Sequence, residues 1–158
     1  KARGVKNDAI YTSPSIRTVQ SAMMIAKLFK KEYEIIDELK TRDCGSWNGL
    51  TFGQIMDKCP EGLDRILKYP EEKTMAGAEG SVEFIARIKK VIDSLVAKNI
   101  GNRIIIVTHP EVIQAAICGA LDIPADKLPK IFIRTGSATQ ISYYENWASL
   151  VYSDYVPI

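Results

Sequence analysis

Two places in this chain combine a β-type run with the start of a helix and a side chain able to carry positive charge. His109, the one histidine in 158 residues, ends the apolar run Ile104-Ile105-Ile106-Val107-Thr108 and is followed by Pro110 and Glu111. Arg17 stands in a similar stretch, Tyr11-Thr12-Ser13-Pro14-Ser15-Ile16-Arg17, about one helical turn past a short strand. In open α/β sheets ligands bind beyond the carboxyl ends of the strands. Helix amides and a cation at such an edge suit an anion, above all a phosphate. Each feature also has a plainer reading: a lone histidine packed for structure, and an arginine paired with an acidic neighbour on its own helix.

Other candidate groups cluster in two loops. Trp47 sits between Gly45 and Gly49, as the centre of a structured loop or as a packing plug. Glu79, in Gly77-Ala78-Glu79-Gly80, precedes a long helix, where a carboxylate is favourable in any case. Cys44 has no arginine six residues on, which excludes a cysteine-phosphatase loop. The Gly77–Gly80 stretch lacks the Gly-Lys-Ser/Thr of a P-loop.

The elements that must position these groups follow from periodicity. Asp8–Thr12 reads as a strand, with Ser13 as helix cap and Pro14 at the first helical position. Ile16 to Phe29 follows with helical spacing, and Tyr33–Ile36 reads as a second strand. Residues 51–69 suggest one or two short helices broken at Pro60, and 51–80 as a whole a small helical cap. Ser81–Lys98 carries a broad apolar helical face. Arg103–Thr108 predicts a strand buried on both faces, and Pro110 opens a helix to about Leu121. Ala138–Glu145 and Ala148–Tyr155 predict a terminal hairpin. Strands alternating with helices predict an α/β fold: three layers, a mainly parallel sheet with helices on both faces, a small cap and a C-terminal β-hairpin.

Composition sets the outer bounds. The length fits a single domain, 1–158, and 46% hydrophobic residues suffice for a core. A net charge of +2 speaks against nucleic acid, and no apolar run reaches membrane-span length. No signal-peptide pattern opens the sequence, so a cytoplasmic domain is expected. Three scattered cysteines form neither a disulfide framework nor a metal motif, so no metal or cofactor is expected. Oligomeric state stays open.

Four segments, in order, resemble the histidine phosphatase superfamily in its phosphoglycerate-mutase-like branch. Asp8–Ala22 is similar to "YSSPLxRAxQTA", and Asp43-Cys44-Gly45-Ser46-Trp47-Asn48-Gly49-Leu50-Thr51 to "D-F-G-x-W-E-G-L-T". Ala78–Ile88 resembles the "G-E-S/G…F…R-V" segment, and Ile104–His109 the strand ending in the family's second histidine. The Glu79-Gly80 variant resembles the alpha-ribazole phosphatase group. The resemblance implies phosphate hydrolysis or transfer through a phosphohistidine, without metal, in a pocket of two histidines and two arginines. Arg17 matches a phosphate-clamping arginine, and His109 the non-nucleophilic histidine that donates to the phosphoryl group.

Three departures qualify that expectation. The family's opening strand, ending in Arg-His-Gly and supplying the nucleophile, has no counterpart, so the domain lacks its first strand and helix and should be inactive by itself. The usual acid, a glutamate two residues before the loop aspartate, falls on Thr41. Pro110 replaces a glycine. A leaving alkoxide needs a proton, and Glu111, Glu79 and Asp43 are the substitutes, Glu111 preferred as nearest His109. The expected function is hydrolysis of a small phosphorylated metabolite, with that substrate or inorganic phosphate as partner. The alternatives are an inactive phosphate-binding or interaction module of the same fold, and a mutase-type phosphotransferase.

Overall fold

Three parallel strands form the platform of the molecule: β1 (Ala9–Thr12) lies between β2 (Glu34–Ile35) and β3 (Ile104–Val107). The structure is a computed structural model that describes residues 9–61 and 77–156. Parallel pairing requires crossovers, and α1 (Ile16–Phe29) carries the chain from β1 to β2. Ala9 stands opposite Ile104 and Thr12 opposite Val107. The ladder runs one residue further, since the Ser13 amide donates to the Val107 carbonyl at 3.0 Å. The carboxyl ends of β1 and β3 therefore emerge side by side.

Alternating side chains divide the two faces of the sheet. Ala9, Tyr11, Ile104 and Ile106 join a core with α3 (Ser81–Lys98) and α4 (Pro110–Ala120), built on Phe84, Ile88, Ile92, Leu95, Val112 and Ala115. Ile10, also buried, points the other way, toward the side where α1 brings Ala22 and Ala26. In α3 the buried positions Ser81, Phe84, Ile88, Ile92 and Leu95 recur at three- and four-residue steps, as one helical stripe must. Fully burying each large apolar side chain of that stripe stabilises the fold by about 1.5–3 kcal/mol. α3 and α4 approach closely at Gly119, where an added Cβ would lie 3.0 Å from Lys89 Cβ. The chain ends in an antiparallel hairpin, β4 (Ala138–Tyr143) and β5 (Ala148–Tyr155), whose turn is closed by Tyr144 stacked on Trp147 at 4.1 Å.

The architecture is the α/β arrangement expected, and α3, α4 and the hairpin fall close to their predicted bounds. Three details differ. α1 begins at Ile16 with Ser15 as its cap residue, so Ser13 and Pro14 stay outside it. Ser13 is still part of the ladder, and its hydroxyl is engaged elsewhere. The second strand shortens to Glu34–Ile35. β3 is only half-buried along its length; among the described residues its edge away from β1 has no partner strand. Of the expected cap, α2 (Phe52–Lys58) is described, started by a capping box in which Thr51 Oγ1 accepts from the Gln54 amide at 3.3 Å. Residues 62–76 of that expectation lie outside the described residues. Among the described residues, no helix is long and apolar enough to cross a membrane, and no group of three His, Cys, Asp or Glu could hold a metal ion.

Candidate functional site

The shared register of β1 and β3 brings together side chains far apart in sequence. His109 follows Thr108 off the end of β3 and is the cap residue of α4, with Pro110 at the first helical position. Its ring is 4% exposed and makes two hydrogen bonds, both to the end of β1 and the start of α1. Nε2 lies 2.9 Å from Ser13 Oγ, and Nδ1 lies 2.9 Å from Nη2 of Arg17. A guanidinium can only donate, so Nδ1 accepts; the neutral ring then carries its hydrogen on Nε2 and donates it to Ser13. Ser13 Oγ passes its own hydrogen to Thr18 Oγ1 at 2.7 Å, and Thr18 donates to the Ser15 carbonyl at 2.8 Å. Every member of this buried chain is satisfied, and Arg17 presents its exposed side chain at the rim.

Burial, and secondarily the Arg17 charge, hold His109 below the ordinary histidine pKa of 6.5. The sign for stability follows. Above about pH 6.5 the ring is neutral both folded and unfolded; below it, the unfolded chain takes a proton that the folded chain refuses. Stability is therefore lost as pH falls from about 6.5 through the folded pKa. His109→Gln should flatten that part of a urea-denaturation stability profile against pH, and an unchanged slope would contradict the assignment.

A loop from Asp37 to Asn48 walls the site and is pinned on three sides. Thr108 Oγ1 donates to the Leu39 carbonyl at 3.0 Å, and the Arg42 amide donates to Glu111 Oε1 at 2.9 Å. Arg42 Nη1 reaches Ser81 Oγ at 3.0 Å. Glu79 receives a two-pronged contact from Arg87, at 2.7 and 2.8 Å, and Arg87 also donates to the carbonyls of Glu38, Lys40 and Thr41. Cys44 and Ala78 form a bridge that ties this loop to the segment before α3.

The three carboxylates weighed as acids thus have different surroundings. Glu111 lies two residues from His109, and its Oε1 accepts from the Arg42 amide. Glu79 is occupied by Arg87, which corrects its candidacy as a free acid. Asp43 accepts from the Gly45 amide and the Asn48 side chain, which hold its carboxyl below the usual range; a group that stays ionised is a poor proton donor. Trp47 is 6% exposed, as the packing-plug reading expects. Burial pushes the Cys44 thiol up, away from a reactive thiolate. Arg17 turned to His109 rather than to an acidic neighbour on its helix. Sequence reasoning missed Ser13 and Thr18 as partners of the ring, and Arg87 as the anchor of the loop. Ser13 was visible only as a cap, because its true partner is 96 residues away.

Comparison with known proteins identifies the family and the fold. The family model of the histidine phosphatase superfamily (branch 1) matches residues 1–154. Phosphoserine phosphatase 1 of Hydrogenobacter thermophilus is 28% identical over 122 residues, covering 76% of this chain and 57% of that protein. The chain thus spans little more than half the length of that relative. The solved structure of Bacillus stearothermophilus YhfR superposes with a TM-score of 0.89 at 23% identity, over 98% of this chain and 77% of that one. The alpha-ribazole phosphatase of Shigella flexneri superposes with a TM-score of 0.82 at 20% identity, with the same 98% and 77% coverage. At such identities the two structures establish the fold and leave the substrate open.

Proposed function

The chain belongs to the histidine phosphatase superfamily, and on that premise we propose that its protein hydrolyses a small phosphate ester through a phosphohistidine. One observation carries the reading: Arg17 Nη2 on His109 Nδ1 at the joined carboxyl ends of β1 and β3. A phosphoryl group seated there meets a guanidinium that stabilises charge on its oxygens and an imidazole that can donate to them. The phosphoserine phosphatase relative supports a hydrolase over a mutase.

The attacking imidazole is a separate matter. His109 is the one histidine of the sequence, and this reading gives it the donating role. This reading assigns the attack to a second histidine, which the 158 residues do not contain. Glu111 is the carboxylate left to protonate the leaving group, with no metal needed, in a cytoplasmic protein. A second reading, a phosphate-binding module without turnover, draws on the single histidine and on the engagement of Glu79 and Asp43.

The test separates binding from chemistry. Arg17→Ala and His109→Gln should each weaken inorganic phosphate binding by about tenfold to a hundredfold, the worth of a charge-assisted hydrogen bond, read by calorimetry on the full-length protein. The full-length protein should also release phosphate from phosphoserine or p-nitrophenyl phosphate with chelator present. Binding without turnover would select the second reading. Unchanged binding in both variants would overturn the phosphate site itself.

A further inference from the structure

His109 is held asymmetrically. On one side its Nε2 hydrogen is fixed by Ser13, which is fully buried and itself committed to Thr18. On the other side Nδ1 is blocked by Arg17, whose residue is exposed to solvent. The ring can therefore change partner at Nδ1 without disturbing Nε2. A ring in this state has no hydrogen to offer a phosphoryl oxygen: its one N–H is spent on Ser13, and Nδ1 bears a lone pair.

The geometry points to a proton taken up with the ligand: a phosphate dianion draws Arg17 off Nδ1, and His109 accepts a proton from water at the nitrogen so exposed. The inference rests on the phosphate-site reading. The nitrogen lone pair forms the new N–H bond, the resulting imidazolium donates Nδ1–H to a phosphate oxygen, and Nε2–H stays on Ser13. Arg17 remains protonated throughout, so the site gains one positive charge as the dianion arrives. Ser13 and Thr18 are positioning residues, which keep the proton-accepting nitrogen turned to the ligand.

The charged groups of the packed elements leave the ring's charge to the ligand. From α1, Arg17 opposes a proton on the ring until the ligand claims it; desolvation opposes it as well. From α4, Glu111 holds the Arg42 amide, and from the loop, Arg42 is bonded to Ser81 and Asp43 to Gly45 and Asn48. None of these makes a hydrogen bond to the ring, so the incoming dianion replaces Arg17 as the nearest charge and reverses its sign.

Nitrogen-15 NMR of the imidazoles in the full-length protein, near pH 7.5, tests this; the signals lost in His109→Gln identify His109. Without ligand, His109 should show the neutral form with hydrogen on Nε2. With saturating inorganic phosphate, both nitrogens should become protonated. Phosphate affinity should then fall about tenfold per pH unit between the free and bound pKa, the slope of one linked proton. Ser13→Ala should keep hydrogen on Nε2 in the free protein, where Arg17 still donates to Nδ1, but make the phosphate-bound ring lose its second proton at lower pH, and Thr18→Ser, which keeps the hydroxyl, should not. Hydrogen on Nδ1 in the free protein, or a neutral His109 with phosphate demonstrably bound, would overturn the proposal and leave the phosphate site standing. Absence of phosphate binding would remove both together. Should Ser13→Ala fail to fold, the two wild-type spectra decide the matter.

Discussion

Arg87→Met is expected to destabilise the protein by about 2–4 kcal/mol, because it leaves the half-buried Glu79 carboxylate without its partner. Arg87 meets Glu79 through two parallel N–H bonds and spends its remaining donors on the carbonyls of Glu38, Lys40 and Thr41. Its guanidinium also lies over the Phe84 ring, 5.2 Å from the centroid. One side chain thus fastens the loop that walls the site to the helix beneath it. Lysine cannot reproduce the fork, so Arg87→Lys should recover only part of the loss. The double variant Glu79→Gln, Arg87→Met should be more stable than Arg87→Met alone, because no unpaired carboxylate remains. Chemical denaturation of the three variants checks the order; a double variant no better than the single one would mean that the carbonyl contacts, not the ion pair, carry the effect.

Phe84→Ala should cost about 3–5 kcal/mol, the loss of a large buried side chain plus the cavity it leaves. Phe84 is 1% exposed and packs among Leu39, Ile88 and Val112, at the meeting of α3, α4 and the loop. Phe84→Met, closer in volume, should cost under about 1.5 kcal/mol. Urea midpoints should shift accordingly with an unchanged dependence on denaturant. A small shift for the alanine variant would show that the surrounding helices close over the space.

Local chemistry made some of this molecule legible in its sequence. The spacing of Phe84, Ile88, Ile92 and Leu95 announces α3, Pro110 opens α4, and the Asn146-Trp147 turn divides the hairpin. Arg17 and His109 were recognised by position alone, each just beyond a strand. What local chemistry could not settle was competition between near and distant partners. Ser13 before Pro14 reads as a helix cap, yet its hydroxyl binds an imidazole 96 residues away and the cap falls to Ser15. Glu79 reads as a helix-start carboxylate or an acid, and only the folded loop shows that Arg87 claims it. Burial of β3 was overestimated for a similar reason: an apolar run states what a strand can bury, whereas its neighbours decide what it does bury.

The ladder between β1 and β3 also sets where the chain tolerates a change of length. Residues 99–103 enter β3 from the far end, so an extra residue there can bulge outward while Thr12 stays opposite Val107. An extra residue between Val107 and His109 has no such outlet. It would carry the ring about 3.3 Å along and turn it to the opposite face, away from Ser13 and Arg17 together. Insertions and deletions should therefore accumulate at one end of this strand and be purged from the other, a directional tolerance that a library of single-residue insertions would reveal.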